Sequence, residues 1–284
     1  MIEKNQIAFL VGMPRAATTF LYHNLNSHSE FFIPFRRKSN YFSLHYGKGN
    51  DWFLSHFKNA PATSIAIDTE TLSFINNGLN SPQLIKEFNE NAKIILCVRE
   101  PGAWVVSLYD QIATFDNRIS NFEDFLAGNY TLVEDGIETK FQMNNGDIYA
   151  RIKEFEDLFP NSILVLKFRD VTESPLESLR RIEQFLGVSS FYSAENVIIK
   201  KINSGRRKHN KFLNKALRNE YVIAAIHYLL PRKAVLVIRW VFDGLLSGGE
   251  GKLVATQEDE KKEKMLSLAR KHYKSDIEAL EKYI

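Results

Sequence analysis

The residues with the clearest chemistry stand at 12–19, GMPRAATT, directly after the apolar run at 7–11. A glycine, one cation and two hydroxyls between a strand pattern and a helix pattern are what a phosphate-holding turn needs. The first N–H groups of a helix have no partner inside it and together attract an anion. A nucleoside-triphosphate loop would read G-x-x-x-x-G-K-[ST]. Here Ala17 takes the place of the second glycine and Thr18 that of the lysine, which leaves Arg15 as the loop's single cation. After Pro14, the amides of Arg15, Ala16, Ala17, Thr18 and Thr19 are expected to converge on one anion, with the threonine hydroxyls capping the helix or donating. If position 17 requires a positive φ, its alanine costs on the order of 1 kcal/mol.

A second constellation lies at 92–111, AKIILCVREPGAWVVSLYDQ. An apolar strand pattern ends in Arg99, and Ser107 follows eight residues later, two turns into the next helix pattern. A guanidinium and a hydroxyl facing one cleft suit a second phosphate; an ion pair of Arg99 with Glu100 or Asp110 is the plainer alternative.

Both constellations need strands to carry them. Short apolar runs at 7–11, 64–69, 93–98 and 162–168, with a weaker one at 31–34, read as buried parallel strands. Helical patterns fall between them at 18–27, 81–89, 103–115, 147–159 and 175–186. Pro82 and Pro175 suit first helical turns, and Gly187 suits a helix end. The alternation predicts an α/β fold, a three-layer doubly wound parallel sheet flanked by helices, with ligands at the carboxyl ends of the strands. A mobile loop at 247–251 and a charged final helix at 257–284 complete the expectation.

Composition limits what such a fold can do. The chain has 284 residues and 44% hydrophobic content, enough for one large core, so a single domain over 1–284 is expected. A net charge of +3 is too mild to mark a nucleic-acid binder. Cys97, the single cysteine, excludes an internal disulfide and a cysteine-based zinc site and reads as a buried small hydrophobe; no metal-ligand cluster is apparent. Only five apolar residues precede Gly12, too few for a signal-peptide core, so a cytoplasmic protein is expected. The apolar runs at 222–230 and 234–246 are too short or too interrupted to span a bilayer. Packed core helices are expected there, with peripheral membrane contact as the other reading. The pattern leaves oligomeric state open.

Taken together, these motifs resemble the sulfotransferases that use 3′-phosphoadenosine 5′-phosphosulfate (PAPS). GMPRAATTFLYHNL is similar to the family's 5′-phosphosulfate loop, and KIILCVREPGAWVVSLY to its 3′-phosphate motif. The likeness continues at 168–188, 202–213 and 272–283. It implies a P-loop-like sulfotransferase fold, PAPS as donor, 3′-phosphoadenosine 5′-phosphate (PAP) as product, and no metal. It assigns residues 14–19 to the 5′ end and Arg99 and Ser107 to the 3′-phosphate. Arg206 and Arg207 are added through a loop over the nucleotide, although a basic pair on a loop is commonly just solvated. Arg15 would stabilise charge growing on the departing phosphate oxygen electrostatically, since arginine does not readily release a proton.

The acceptor side departs from the family. Its carbohydrate-acting members carry Lys-Glu ahead of an aromatic pair, the glutamate removing the acceptor's proton. Here Tyr41 and Phe42 are present, but Lys38 stands where the glutamate would be. Glu70 and Asp68, at the carboxyl end of a strand, and then His45 are the replacement bases. The acceptor implied is a hydroxyl on a sugar, polysaccharide or glycolipid. It would be chosen by loops at 42–57 and 115–145, where Tyr46, Trp52 and Tyr130 offer rings for stacking or for packing. A nucleoside-triphosphate kinase with Asp68 ending a Walker B strand, and a nucleotide-binding protein without catalysis, are the alternatives; the missing lysine at position 18 opposes the first.

Overall fold

The computed structural model describes residues 2–34, 38–75, 78–115, 121–128, 130–134, 136–141, 143–198 and 255–284. Arg206 and Arg207, the apolar runs at 222–230 and 234–246, and the glycine-rich stretch at 247–251 lie outside them. The chain divides into two compact units, 1–200 with 261–284, and 201–260. The architecture below is that of the first.

Five parallel strands form its sheet, in the order β2, β3, β1, β4, β7. They are β1 (Ile7–Gly12), β2 (Phe31–Phe32), β3 (Ile65–Thr69), β4 (Lys93–Val98) and β7 (Ile163–Lys167). β1 is buried along its whole length and β4 at every position after Lys93, which is why both read as unbroken apolar runs rather than alternating ones. The helices fall into two groups by their contacts. α1 (Thr18–Leu25) packs on α8 (Pro175–Leu186), whereas α3 (Ser81–Phe88) packs on α6 (Asp147–Leu158). From β1 the chain runs to β2 and β3 on one side, then crosses to β4 on the other. The carboxyl ends of β1 and β4 therefore flank the point where the strand order reverses, the place where open α/β sheets bind ligands.

Two expectations about segments change. The final helix is not continuous from 257 to 284: α9 (Ala255–His272) stops, and α10 (Lys274–Ala279) begins after Tyr273. The break has a physical reason. Buried Tyr273 donates its hydroxyl to the Met143 carbonyl at 2.8 Å, and buried Asp276 accepts the amides of Gly146 at 2.6 Å and Tyr149 at 2.7 Å, capping α6. The segments at 42–57 and 115–145 are also more ordered than loops. The first holds a wide turn at Tyr41–His45 and α2 (Gly49–Ser55); the second holds α5 (Phe122–Leu126) and an antiparallel hairpin, β5 (Tyr130–Glu134) with β6 (Ile137–Phe141). Between β4 and α6 runs α4 (Pro101–Phe115), and α7 (Phe168–Glu173) follows β7. Among the described residues, no helix is long and apolar enough to cross a membrane.

Gly12, where β1 turns into the loop, is fixed by a close approach. A Cβ there would lie 2.9 Å from the Phe74 Cβ, and φ is 154°. Because the obstacle is the root of a buried side chain, it cannot swing aside. Gly12→Ala should cost about 2 kcal/mol of folding stability, read as a lowered urea midpoint. Adding Phe74→Leu should leave that penalty nearly intact, since leucine keeps the clashing Cβ.

Candidate active site

The loop after β1 is held from several directions. Met13 donates its amide to the Cys97 carbonyl on β4 at 2.8 Å, and Trp104 of α4 donates its indole N–H to the Pro14 carbonyl at 2.7 Å. Arg15 and Ala17 take left-handed backbone conformations, with φ of 67° and 60°. These two turns bring the chain into α1 at Thr18. Position 17 therefore does require a positive φ, and its alanine bears the strain anticipated for it. One part of the expected anion cradle is corrected. Ala16 donates its amide to the Met13 carbonyl at 3.0 Å, inside the loop, so it is not available to join its neighbours around an anion.

Two arginines come together at this loop. Arg99, at the end of β4, donates Nη1 to the Arg15 carbonyl at 2.9 Å and lays its guanidinium over the Phe168 ring at 4.5 Å. Arg15 in turn donates Nε to Ser107 Oγ at 3.2 Å. Arg15, Arg99 and Ser107 are thus in one cluster at the reversal point of the sheet. Burial, and then the nearby charge of Arg15, lower the proton affinity of Arg99. Glu100, one ion-pair candidate for Arg99, acts on it through its nearby charge but makes its hydrogen bonds elsewhere. Glu100 bonds Arg270 at 3.2 Å and caps α4 by accepting the Ala103 amide at 2.6 Å. Gly102 admits this docking, because a Cβ there would meet Arg270 Cγ at 2.7 Å.

The candidate bases form a second cluster beside β1. Glu70 donates its amide to the Leu10 carbonyl at 3.0 Å, which places it next to the strand leading into the loop. Asp68 and Glu70 are both fully buried. Ser39 Oγ lies 2.7 Å from Asp68 Oδ2 and 3.2 Å from Glu70 Oε2, while Ser43 donates its hydroxyl to Glu70 Oε1 at 2.5 Å. Burial pushes the Asp68 carboxyl up to about 6. Glu70 rises further, to about 8, since burial is joined by repulsion from Asp68. His45 ends the 41–45 turn, buried, with its ring 5.4 Å from that of Trp52 and edge-on to it. Among the described residues, no three His, Cys, Asp or Glu side chains gather as a metal-ligand set.

The arrangement can stabilise developing negative charge at the β1–β4 crevice and accept a proton beside it. The structure brings Arg15, Arg99 and Ser107 together in one cluster and Asp68 and Glu70 in another. It adds Ser39 and Ser43 as hydrogen-bond partners of the carboxyls and Trp104 as that of the Pro14 carbonyl, none of which the sequence singled out. Serines at 39 and 43 have the spacing of one helical turn, yet the segment folds as a wide turn around Glu70, and nothing in the spacing announces that.

With this geometry in view, the comparisons agree on a class. The sulfotransferase domain family matches residues 6–227. The chain belongs to that family. The fold is that of a crystallised sulfotransferase from Alicyclobacillus acidocaldarius, with a TM-score of 0.54 and 17% identity over 75% of this chain and 89% of that one. A membrane-associated sulfotransferase of Dictyostelium discoideum is 29% identical over 102 residues, 35% of this chain and 21% of that protein. Human heparan sulfate glucosamine 3-O-sulfotransferase 5 is 23% identical over 205 residues, 69% of this chain and 58% of that protein. The matches thus span only 21% and 58% of these two relatives' lengths.

Two measurements check the site's energetics. Ala17→Gly should raise stability by about 0.5–1 kcal/mol in urea unfolding, the relief of a left-handed alanine less the added freedom of the unfolded chain. The buried carboxyls set a pH dependence of defined sign. Between the ordinary Glu value of 4.5 and the folded value of about 8, the native state holds a proton that the unfolded state has released. Stability should therefore fall as pH rises through that window, and Glu70→Gln should flatten the slope, as read from urea midpoints at about pH 5.5, 7 and 8.5.

Proposed function

We propose that the chain transfers a sulfuryl group from PAPS to a hydroxyl on a saccharide or glycolipid. The observation that carries this reading is the pair of guanidiniums at the β1–β4 crevice, Arg99 held on the Arg15 carbonyl and Arg15 held on Ser107. A nucleotide with phosphates at both its 3′ and 5′ positions offers each cation a partner. Membership of the family supports the reaction, and the heparan sulfate relative supports a sugar acceptor. The family match crosses the boundary between the two compact units, which supports treating residues 1–284 as one sulfotransferase domain.

Sulfuryl transfer breaks the bond between sulfur and the 5′-phosphate oxygen and leaves negative charge on that oxygen. Arg15 and the amides opening α1 stabilise this charge as it grows, which lowers the barrier more than it strengthens donor binding. Arg99 and Ser107 hold the 3′-phosphate, and Arg99 also keeps the crown of the loop in place through the Arg15 carbonyl. We assign removal of the acceptor proton to Glu70, with Asp68 as its charged partner, ahead of His45. Glu70 is fully buried with Ser43 bonded to its Oε1, so an acceptor hydroxyl reaches the carboxylate by displacing the Ser43 hydroxyl.

The test is direct. Arg15→Ala should lower kcat for sulfuryl transfer to a saccharide acceptor by about a hundredfold or more while changing PAP affinity only a few-fold. A loss of PAP affinity with kcat unchanged would show that Arg15 serves ground-state binding only.

A further inference from the structure

The two buried carboxylates share one serine hydroxyl, and this has a consequence for protons. Ser39 Oγ has a single proton to give and lies within hydrogen-bond distance of both Asp68 Oδ2, at 2.7 Å, and Glu70 Oε2, at 3.2 Å. It also accepts the Tyr41 amide, at 3.1 Å. Ser39 can therefore donate to one carboxylate only. The other contact is attractive only if that carboxyl brings a proton of its own; otherwise oxygen lone pairs face each other in a site closed to water.

We propose that Asp68, Ser39 and Glu70 form a one-proton relay, in which Ser39 is a positioning residue that passes the proton between the carboxyls and so frees Glu70 to act as base. The inference rests on the assignment of Glu70 above. In the resting arrangement Glu70 Oε2–H donates to Ser39 Oγ, and Ser39 Oγ–H donates to ionised Asp68. To free Glu70, its proton moves to Ser39 Oγ as the Ser39 proton moves to Asp68 Oδ2. One O–H bond breaks and one forms at each step, the serine hydroxyl is regenerated, and the negative charge passes from Asp68 to Glu70. Glu70 then takes the proton of the acceptor hydroxyl and the pair becomes neutral.

The surroundings suit this exchange. The Phe42 amide, 3.4 Å from Glu70 Oε2, and the Ser43 hydroxyl steady the Glu70 carboxylate, and the Ser39 amide, 3.4 Å from Asp68 Oδ1, steadies Asp68. Other titratable side chains of this stretch are Lys38, which is half-buried, Tyr41, whose hydroxyl donates to Asn50, and His45, edge-on to Trp52. The shift of both carboxyls toward the protonated form, Glu70 more than Asp68, agrees with a proton resting on Glu70.

Infrared difference spectroscopy on the full chain near neutral pH tests the shared proton without turnover. Wild type should show a protonated-carboxyl C=O stretch that vanishes in Glu70→Gln. Ser39→Ala should shift its frequency, since the acceptor of that proton is gone, and Ser39→Thr should restore it. If Ser39→Ala does not fold, Asp68→Asn reports instead, its band titrating out at lower pH because the neighbouring anion is removed. In turnover, Ser39→Ala should lower kcat about tenfold or more and move the rising limb of the kcat–pH profile to higher pH, with donor KM unchanged and Ser39→Thr active. A wild-type spectrum without the band, a band indifferent to Ser39→Ala, or unchanged kcat in that variant would overturn the relay. A chain that shows the band and its Ser39 dependence but transfers sulfuryl to no hydroxyl acceptor overturns the functional reading and leaves the shared proton standing.

Discussion

The bond from Arg99 to the Arg15 carbonyl is the contact on which the site depends. It ties the end of β4 to the crown of the loop that follows β1, across the point where the sheet reverses its order. Through it a strand end, a strained loop and a helix N-terminus become one rigid unit. Arg15 and Ala17 both sit in the left-handed region, at a cost on the order of 1 kcal/mol each, and the surrounding bonds hold them there. Strain kept at this position is consistent with a loop shaped for a ligand, because a free turn would relax it.

Electrostatics divides the site in two. On the β1–β4 side, two cations approach each other closely enough for one to lower the other's proton affinity. On the β3 side, two carboxylates are buried together and hold protons more tightly than usual. Each half is costly by itself, and each cost falls when the opposite charge or a proton arrives. An anionic donor relieves the first half, and a proton taken from an acceptor relieves the second. The reaction proposed for the chain uses both.

Much of this was legible in the sequence because it depends on short-range pattern. The apolar runs ending at Gly12, Thr69 and Val98 mark strands whose carboxyl ends must carry Arg15, Glu70 and Arg99, and the helix beginning at Pro101 carries Ser107 back to the same place. What could not be read depends on contacts distant in the chain. Ser39 meets Asp68 across 29 residues, Trp104 meets Pro14 across 90, and Tyr273 meets Met143 across 130. Such bonds leave no periodic trace. The break in the final helix is of the same kind, since the buried side chains of Tyr273 and Asp276 bond Met143, Gly146 and Tyr149, at and just before the start of α6. The bond of the Ala16 amide to the Met13 carbonyl is hidden for a smaller reason: one i to i+3 bond inside a turn is invisible in composition.

The most direct test of the account is a binding titration of the full chain with PAP and with ADP, each with and without magnesium, read as a shift in thermal unfolding. At about one hundred times its dissociation constant a ligand should stabilise the fold by roughly 2.7 kcal/mol. A shift with PAP that magnesium does not alter, and none with ADP, is the result expected of a crevice that holds separate 3′ and 5′ phosphates with two arginines. A magnesium-dependent shift with ADP, and none with PAP, would contradict it.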